Sequence, residues 1–480
     1  MKERPTVTPQ REVKIVALLT TTSASFLTPF ISSATNIALP NIGLELGLDT
    51  VMLGWVQTSF LLTTAVFLLP FGKVADIVGR KKIFLVGLIV YTTSSLLASI
   101  ADSALVLIVS RIFQGIGGAM LAATSVAILS SVFPPQDRGK VLGINVASVY
   151  TSIALGPFLG GILTQHFGWR SIFYMNVFVA LLTLMIALRL RQEWKGTPEE
   201  RFDILGSLLY GISLATIMWG TLSFSSYSGG YSRLPFYAIL IGTFTMACLV
   251  VWEGRIKYPV FDIRLFINNL NFSLSNISAL INYAATYALS FLLSIYLQIV
   301  KGLTPQVAGT ILVAQPILQA LLSPMAGWLS DRIEPGKVAS VGIALNAIGL
   351  FVLSTINADT EIMSIVAILV LMGIGFALFS SPNTNAIMSS VERGLFGVAS
   401  AILSTMRTLG QTFSIALATL VLSIFVGSDI LKTSNLGDFI SGMRFAFLIF
   451  AVLCVIGVFT SLSRGRRRGI KNRFKRESRI

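Results

Sequence analysis

Long apolar stretches alternate with short polar ones along the whole chain. Intervals free of charged residues cover 15–44, 50–72, 83–101, 141–169, 171–188, 204–232, 234–252, 265–300, 302–330, 338–358, 362–391 and 445–463. Two more, 103–136 and 394–428, are apolar apart from one arginine each. About 20 apolar residues cross a hydrocarbon layer of about 30 Å. The pattern therefore predicts fourteen membrane-spanning helices. Sustained strand-like alternation is absent from these intervals, and a helix satisfies its own backbone in lipid.

Composition narrows the class. Of the 480 residues, 54% are hydrophobic and only 12% charged, against about 25% charged in soluble domains. One aqueous core does not hide that much apolar surface, so the chain reads as an all-α polytopic membrane protein. The first apolar run is too long for a cleavable signal peptide and has no convincing small-residue cleavage site. Cys248 and Cys454 fall in apolar runs and read as small hydrophobes. No metal or cofactor is expected.

Charge placement supplies an orientation. Counted over fourteen spans with the N-terminus inside, 29 of the 36 Lys and Arg lie on the cytoplasmic side. Five lie outside (Arg170, Arg233, Lys301, Lys432, Arg444), two lie within spans, and the acids divide 14 inside and 7 outside. The excess of +15 is thus a topology signal, with both termini cytoplasmic. The expected location is the cell membrane, as a multi-pass protein.

The helices group as six, two and six. Residues 1–200 form a first half, 201–264 a two-helix insert, 265–463 a second half, and 464–480 a polybasic tail. That tail reads as a topogenic end near anionic headgroups, not as a nucleic-acid site. The halves look like repeats. Gly72–Lys82, GKVADIVGRKK, reads as a polar loop after the second helix, and Gly327–Lys337, GWLSDRIEPGK, is its fainter copy. Asp137-Arg138-Gly139 and Glu392-Arg393-Gly394 open corresponding helices, followed by Gly156 and Gly410 at 18 and 17 residues from the arginine. Six-helix repeats about an axis along the membrane normal, with a site between them, describe one known transporter plan.

Several residues stand out chemically. In the first loop Arg80 can pair with Asp76, while Gly72 and Gly79 permit close approach and a tight turn; Lys81 adds charge. Asp331 and Arg332 repeat the pair. A solvated topogenic loop is the bland alternative. Arg111 lies inside a span, where a cation costs at least a few kcal/mol and usually marks function, or snorkels to the interface. Gln114 and Gly115 stand beside it. Gly156, Pro157 and Gly160 place a kink and a thin face in the fifth helix, unless the glycines merely pack. Arg407 is the second intramembrane cation, serving either coupling chemistry or a pairing with the carbonyls or carboxylates of a cytoplasmic gate. Polar span residues that could face a cavity are Asn36, Gln57, Asn145, Tyr150, Asn282, Tyr283, Gln315, Gln319, Asn346, Asn383 and Asn385, with Trp55, Phe60 and Met372 as apolar wall. Each could equally be an interhelical hydrogen bond.

These motifs resemble those of the major facilitator superfamily. GKVADIVGRKK is similar to the motif between its second and third helices, RIFQGIGGAM (111–120) to its fourth-helix motif, and ALGPFLGGIL (154–163) to its fifth-helix antiporter motif. WRSIFYMN (169–176) resembles the usual start of helix six, and NIALP (36–40) and the segment 392–411, from ERG to STMRTLGQ, the fourteen-span drug:proton antiporters. The resemblance implies a latch between halves in the outward-facing state at Asp76 and Arg80, and a part in proton coupling for Arg111. It implies a monomeric exporter of small amphipathic drugs or metabolites working by alternating access with proton antiport; the implied partners are the bilayer, the substrate and protons. Uptake, or lipid or anion movement, is an alternative on the same fold; an enzyme, receptor or channel has no catalytic cluster, soluble domain or filter here to support it. One departure matters. Drug exporters of this branch usually carry an acid five residues before the Asn of NIALP, where this chain has Ile31, and none of the 21 acids falls in a span interior. Neutral, lipophilic or anionic substrates are favoured over dications.

Overall fold

The computed structural model describes residues 9–195, 202–223, 233–256, 259–261, 263–392, 395–427 and 436–464. Arg393, Gly394, Lys432 and the tail beyond Arg464 lie outside the described residues. Among the described residues, fourteen helices are long and apolar enough to cross a membrane, making this a multi-pass membrane protein. The first half comprises α1 (Pro9–Leu46), α2 (Thr50–Val78), α3 (Arg80–Ser99), α4 (Ala104–Val132), α5 (Pro135–Phe167) and α6 (Arg170–Ala187). The insert is α7 (Ile204–Ser223) and α8 (Leu234–Glu253). The second half is α9 (Leu270–Val300), α10 (Pro305–Arg332), α11 (Pro335–Leu353), α12 (Ile362–Ser389), α13 (Phe396–Val426) and α14 (Leu436–Leu462).

Packing repeats between the halves. Helix α1 packs on α5, α2 on α4, and α3 on both α4 and α6. The corresponding pairs α9–α13, α10–α12, α11–α12 and α11–α14 pack in the second half. Glycines set these approaches. A Cβ on Gly117 would stand 2.7 Å from the Tyr91 backbone nitrogen, and one on Gly342 2.5 Å from the Gly375 carbonyl oxygen. The second half is less regular: α9 is interrupted near Tyr287 and closes in a π turn over Tyr296–Val300, and α10 is interrupted at Val313.

The expected polar loops are not loops. Gly72–Val78 completes α2 and Arg80 opens α3, so the chain turns at Gly79 alone, with φ 136°. That backbone favours glycine, and an added Cβ there would also meet the Glu193 carboxyl group at 2.6 Å. In the copy, Gly327–Arg332 completes α10, and Pro335 starts α11. Gly72 is a correction: it faces open space and mediates no close approach.

Among the described residues the spans are even in number, so Pro9 of α1 and Leu462 of α14 lie on one face. The halves meet tightly on the opposite face. There the Gln298 Nε2 donates to the Ile37 carbonyl at 2.9 Å, Thr50 Oγ1 to the Gly427 carbonyl at 2.9 Å, and the Gln306 backbone N–H to Gln165 Oε1 at 3.2 Å. Gly161 and Gly309 let α5 and α10 cross with almost no gap; a Cβ on Gly161 would stand 2.5 Å from the Pro305 carbonyl oxygen. Toward the terminal face, Gly143 of α5 and Gly397 of α13 look onto open space.

Gly309→Val would drive a side chain into the Pro157 carbonyl and weaken this closure by about 1–3 kcal/mol. In a Cys248→Ser, Cys454→Ser background, a cysteine at Gln306 should then react with a water-soluble maleimide on the order of ten-fold faster. An unchanged rate would show that the α5–α10 crossing does not hold this face shut.

Candidate functional site

Between the halves lies a cavity of about 260 Å³, walled by α1, α2, α4 and α5 on one side and α9, α10, α12 and α13 on the other. Of the expected cavity residues, Asn36, Phe60, Asn145, Tyr150, Tyr283, Gln315 and Gln319 line it. Arg407 and Pro157 join them. Tyr150 shares a short hydrogen bond with Ser380 across the two halves. Asn145 Nδ2 donates to Ser25 Oγ at 2.8 Å, which ties α5 to α1.

Other expected cavity residues lie elsewhere. Asn346 donates to Asn282 at 3.1 Å, an interhelical bond behind the wall. Met372 is fully buried against Gly349. Trp55 packs on the cluster that joins α2 to the insert. Asn385 donates to Ser330 and Asp331. Asn383 accepts from Arg464 Nη1 at 2.6 Å, so the first arginine assigned to the tail is folded against the second half. Burial pushes the Arg464 guanidinium down to about 9.

Gln57 is buried beside the cavity in a network centred on Arg111. Arg111 is wholly inaccessible, which excludes snorkelling. Its Nε donates to the Val56 carbonyl at 3.1 Å, Nη1 to Gln114 Oε1 at 2.6 Å and Nη2 to Gln57 Oε1 at 3.2 Å. The Phe60 ring lies 4.2 Å from its Cζ. Neutral acceptors and an aromatic face thus hold the cation. Gln114 passes the chain on to Ser95 at 2.7 Å, and Gln57 Nε2 donates to Ser32 Oγ at 2.8 Å and Tyr287 Oη at 3.1 Å. Ser32 and Tyr287 are themselves 2.5 Å apart. Tyr287 belongs to the second half, so the network crosses between halves at the interruption of α9.

Tyr287, Ser32 and Gln411 were not singled out in the sequence. Spacing carried the signal: Tyr287 is four residues after Tyr283, Ser32 four before Asn36, and Gln411 four after Arg407. One helical turn puts each on the face of a residue already named.

The glycines beside these groups are close-packing sites. Gly115 abuts Thr63 and the Phe60 carbonyl, while Gly156 and Gly160 abut Ser33 and Ala34 of α1. In the cluster at the terminal face, Arg80 pairs with Asp76 at 2.7 Å. Arg80 Nη1 also donates to Ser131 Oγ at 2.6 Å, and the Lys81 backbone N–H donates to Glu193 Oε1 at 2.9 Å. These described bonds stay within the first half. Asp331 likewise bonds within the second half, and Arg332 stacks 3.9 Å over Trp328 instead of pairing with it. In WRSIFYMN, Trp169 Nε1 donates to Glu45 at 2.7 Å and Asn176 Nδ2 to Tyr91 Oη at 2.9 Å, which explains the motif as structural pinning of α6.

A larger groove of about 690 Å³ crosses Leu209, Cys248 and Trp252 on the insert. Its wall is apolar and faces outward, so the cavity between the halves is the candidate site. Among the described residues no group of three His, Cys, Asp or Glu side chains gathers as a metal site.

Two six-helix repeats closed over a polar cavity on one face define a membrane transporter, not an enzyme. The profile of the Major Facilitator Superfamily matches residues 21–259 and 276–479, and the chain belongs to that family. It is 30% identical to the riboflavin transporter RibZ of Clostridioides difficile, covering 94% of this chain and 97% of that one. The tetracenomycin C resistance and export protein of Streptomyces glaucescens is 28% identical over 83% of this chain and 73% of its own. These likenesses fit the drug-exporter branch. A bacterial homologue of the human lysosomal transporter Spinster, solved inward-facing and unoccupied, shares the fold with TM-score 0.69 at 14% identity, covering 96% of this chain and 98% of that one.

Replacing Gln57 with Leu would strand a donor of a buried cation, at a cost of about 1–3 kcal/mol. Tyr287→Phe leaves Arg111 fully bonded and costs about 1 kcal/mol. Thermal unfolding in detergent should therefore fall more for Gln57→Leu than for Tyr287→Phe; the reverse order would contradict the network.

Proposed function

We propose that this protein exports a small amphipathic compound from the cell by alternating access, driven by proton antiport. The observation that carries the reading is the cavity held between two repeats that close on one face only. With the termini in the cytoplasm, as the charge asymmetry favours, the closed face is the outer one and the cavity awaits substrate from inside. Its resident membrane is then the cell membrane, and the working unit is a monomer.

Exchange to the outward-facing state would break the Gln298, Thr50 and Gln306 contacts and bring the terminal ends of the halves together. Asp76 and Arg80 stand at that end, on α2 and α3, where the superfamily resemblance places a latch. Tyr287 is the second-half residue through which the Arg111 network would sense this movement. Carboxylates available to a proton lie at helix ends, among them Asp76.

Purified protein in proteoliposomes tests this. Riboflavin, named for one relative, is the first compound to load, followed by a panel of amphipathic dyes. Efflux should accelerate several-fold when a pH gradient is imposed, and Asp76→Asn should slow it by on the order of ten-fold. Flux indifferent to the gradient would remove the antiport part, and uptake in place of efflux would reverse the direction.

A further inference from the structure

We propose that the cavity is an organic-anion site in which Arg407 is the counter-ion, so that the transported class is flat aromatic compounds bearing one acid group. The inference rests on the transport reading only for the fate of the ligand; the binding chemistry stands on the cavity itself.

Two arginines lie inside the membrane, and their surroundings differ. Arg111 has an acceptor for each nitrogen of its guanidinium and no access to the cavity. Arg407 lines the cavity, and its buried Nε has no hydrogen-bond partner. The nearest aromatic surface is the Tyr283 ring, 5.1 Å from the Arg407 Cζ. No Asp or Glu is among the residues lining the cavity. A cation in low dielectric without an anion is costly, and a ligand that supplies the anion recovers part of that cost.

The shape of the group selects the ligand further. A guanidinium presents a planar fork that matches a carboxylate or similar oxyanion through two parallel hydrogen bonds. Gln411, one turn beyond Arg407, and Gln315 and Gln319 on α10 add neutral amide donors around the same space. Phe60, Phe376 and Tyr283 provide ring faces for an apolar body. A cationic compound would meet an arginine with no carboxylate to offset it.

The test compares naphthalene-1-acetate with its trimethylammonium counterpart, equal in ring and opposite in charge. Binding to the full-length protein in nanodiscs is read by isothermal titration calorimetry. The anion should bind at least ten-fold more tightly, about 1.4 kcal/mol. Arg407→Gln should bring the two within about two-fold of each other, and Arg407→Lys should keep an intermediate preference. Equal or tighter binding of the cation by the native protein overturns the proposal without recourse to any variant. So does an anion preference that survives Arg407→Gln. Flux in proteoliposomes separates the two readings: anion-selective binding without flux defeats transport alone, whereas flux of the cation without anion preference defeats the anion site alone.

Discussion

Charge inside the membrane without a carboxylate to neutralise it is the constraint on which this architecture depends. Arg111 is tolerable because the second, fourth and third helices are brought together around it: Val56 and Gln57 from α2, Gln114 from α4 itself, and Ser95 from α3 through Gln114. Such a cage needs the backbones close, and Gly115 beside it lets α4 approach α2. Gln57 also donates to Tyr287, so the cage around the cation touches the other half.

The two halves share a plan but not the continuity of their helices. Interruptions occur at Tyr287 and Val313 and a π turn at Tyr296–Val300, all in the first two helices of the second half. Such turns are frequent at functional positions, and here they border the cavity and the sealed face. In the first half the long helices α2, α4 and α5 run without interruption.

Much of this was legible in the chain. Fourteen spans follow from the apolar intervals, and the cavity residues Asn145, Tyr150, Tyr283, Gln315 and Gln319 were found because polar side chains in spans are few. Polarity alone could not divide wall from interior. Asn346 donates to Asn282, Arg464 donates to Asn383, and neither pairing leaves a trace in local sequence. The turn at Gly79 was hidden for a different reason: Lys73, Asp76 and Arg80 look like a loop by charge, although helix ends carry charge just as readily at a membrane surface. The described bonds of the Asp76–Arg80 cluster stay within the first half, a placement that charge pattern alone does not specify.

The insert gives the molecule a handedness in the plane of the bilayer. Tyr210 of α7 donates to the Ala65 carbonyl of α2 at 3.1 Å, and Leu214, Met218 and Leu222 share a cluster with Leu62 and Leu69 of α2 and Leu409 and Ala416 of α13. Helix α7 thus lies along the seam where α2 meets α13, while the seam between α5 and α10 has no part in that cluster. The boundary between the halves is thus asymmetric: one flank is backed by a third helix, whereas the other is the direct crossing of α5 and α10.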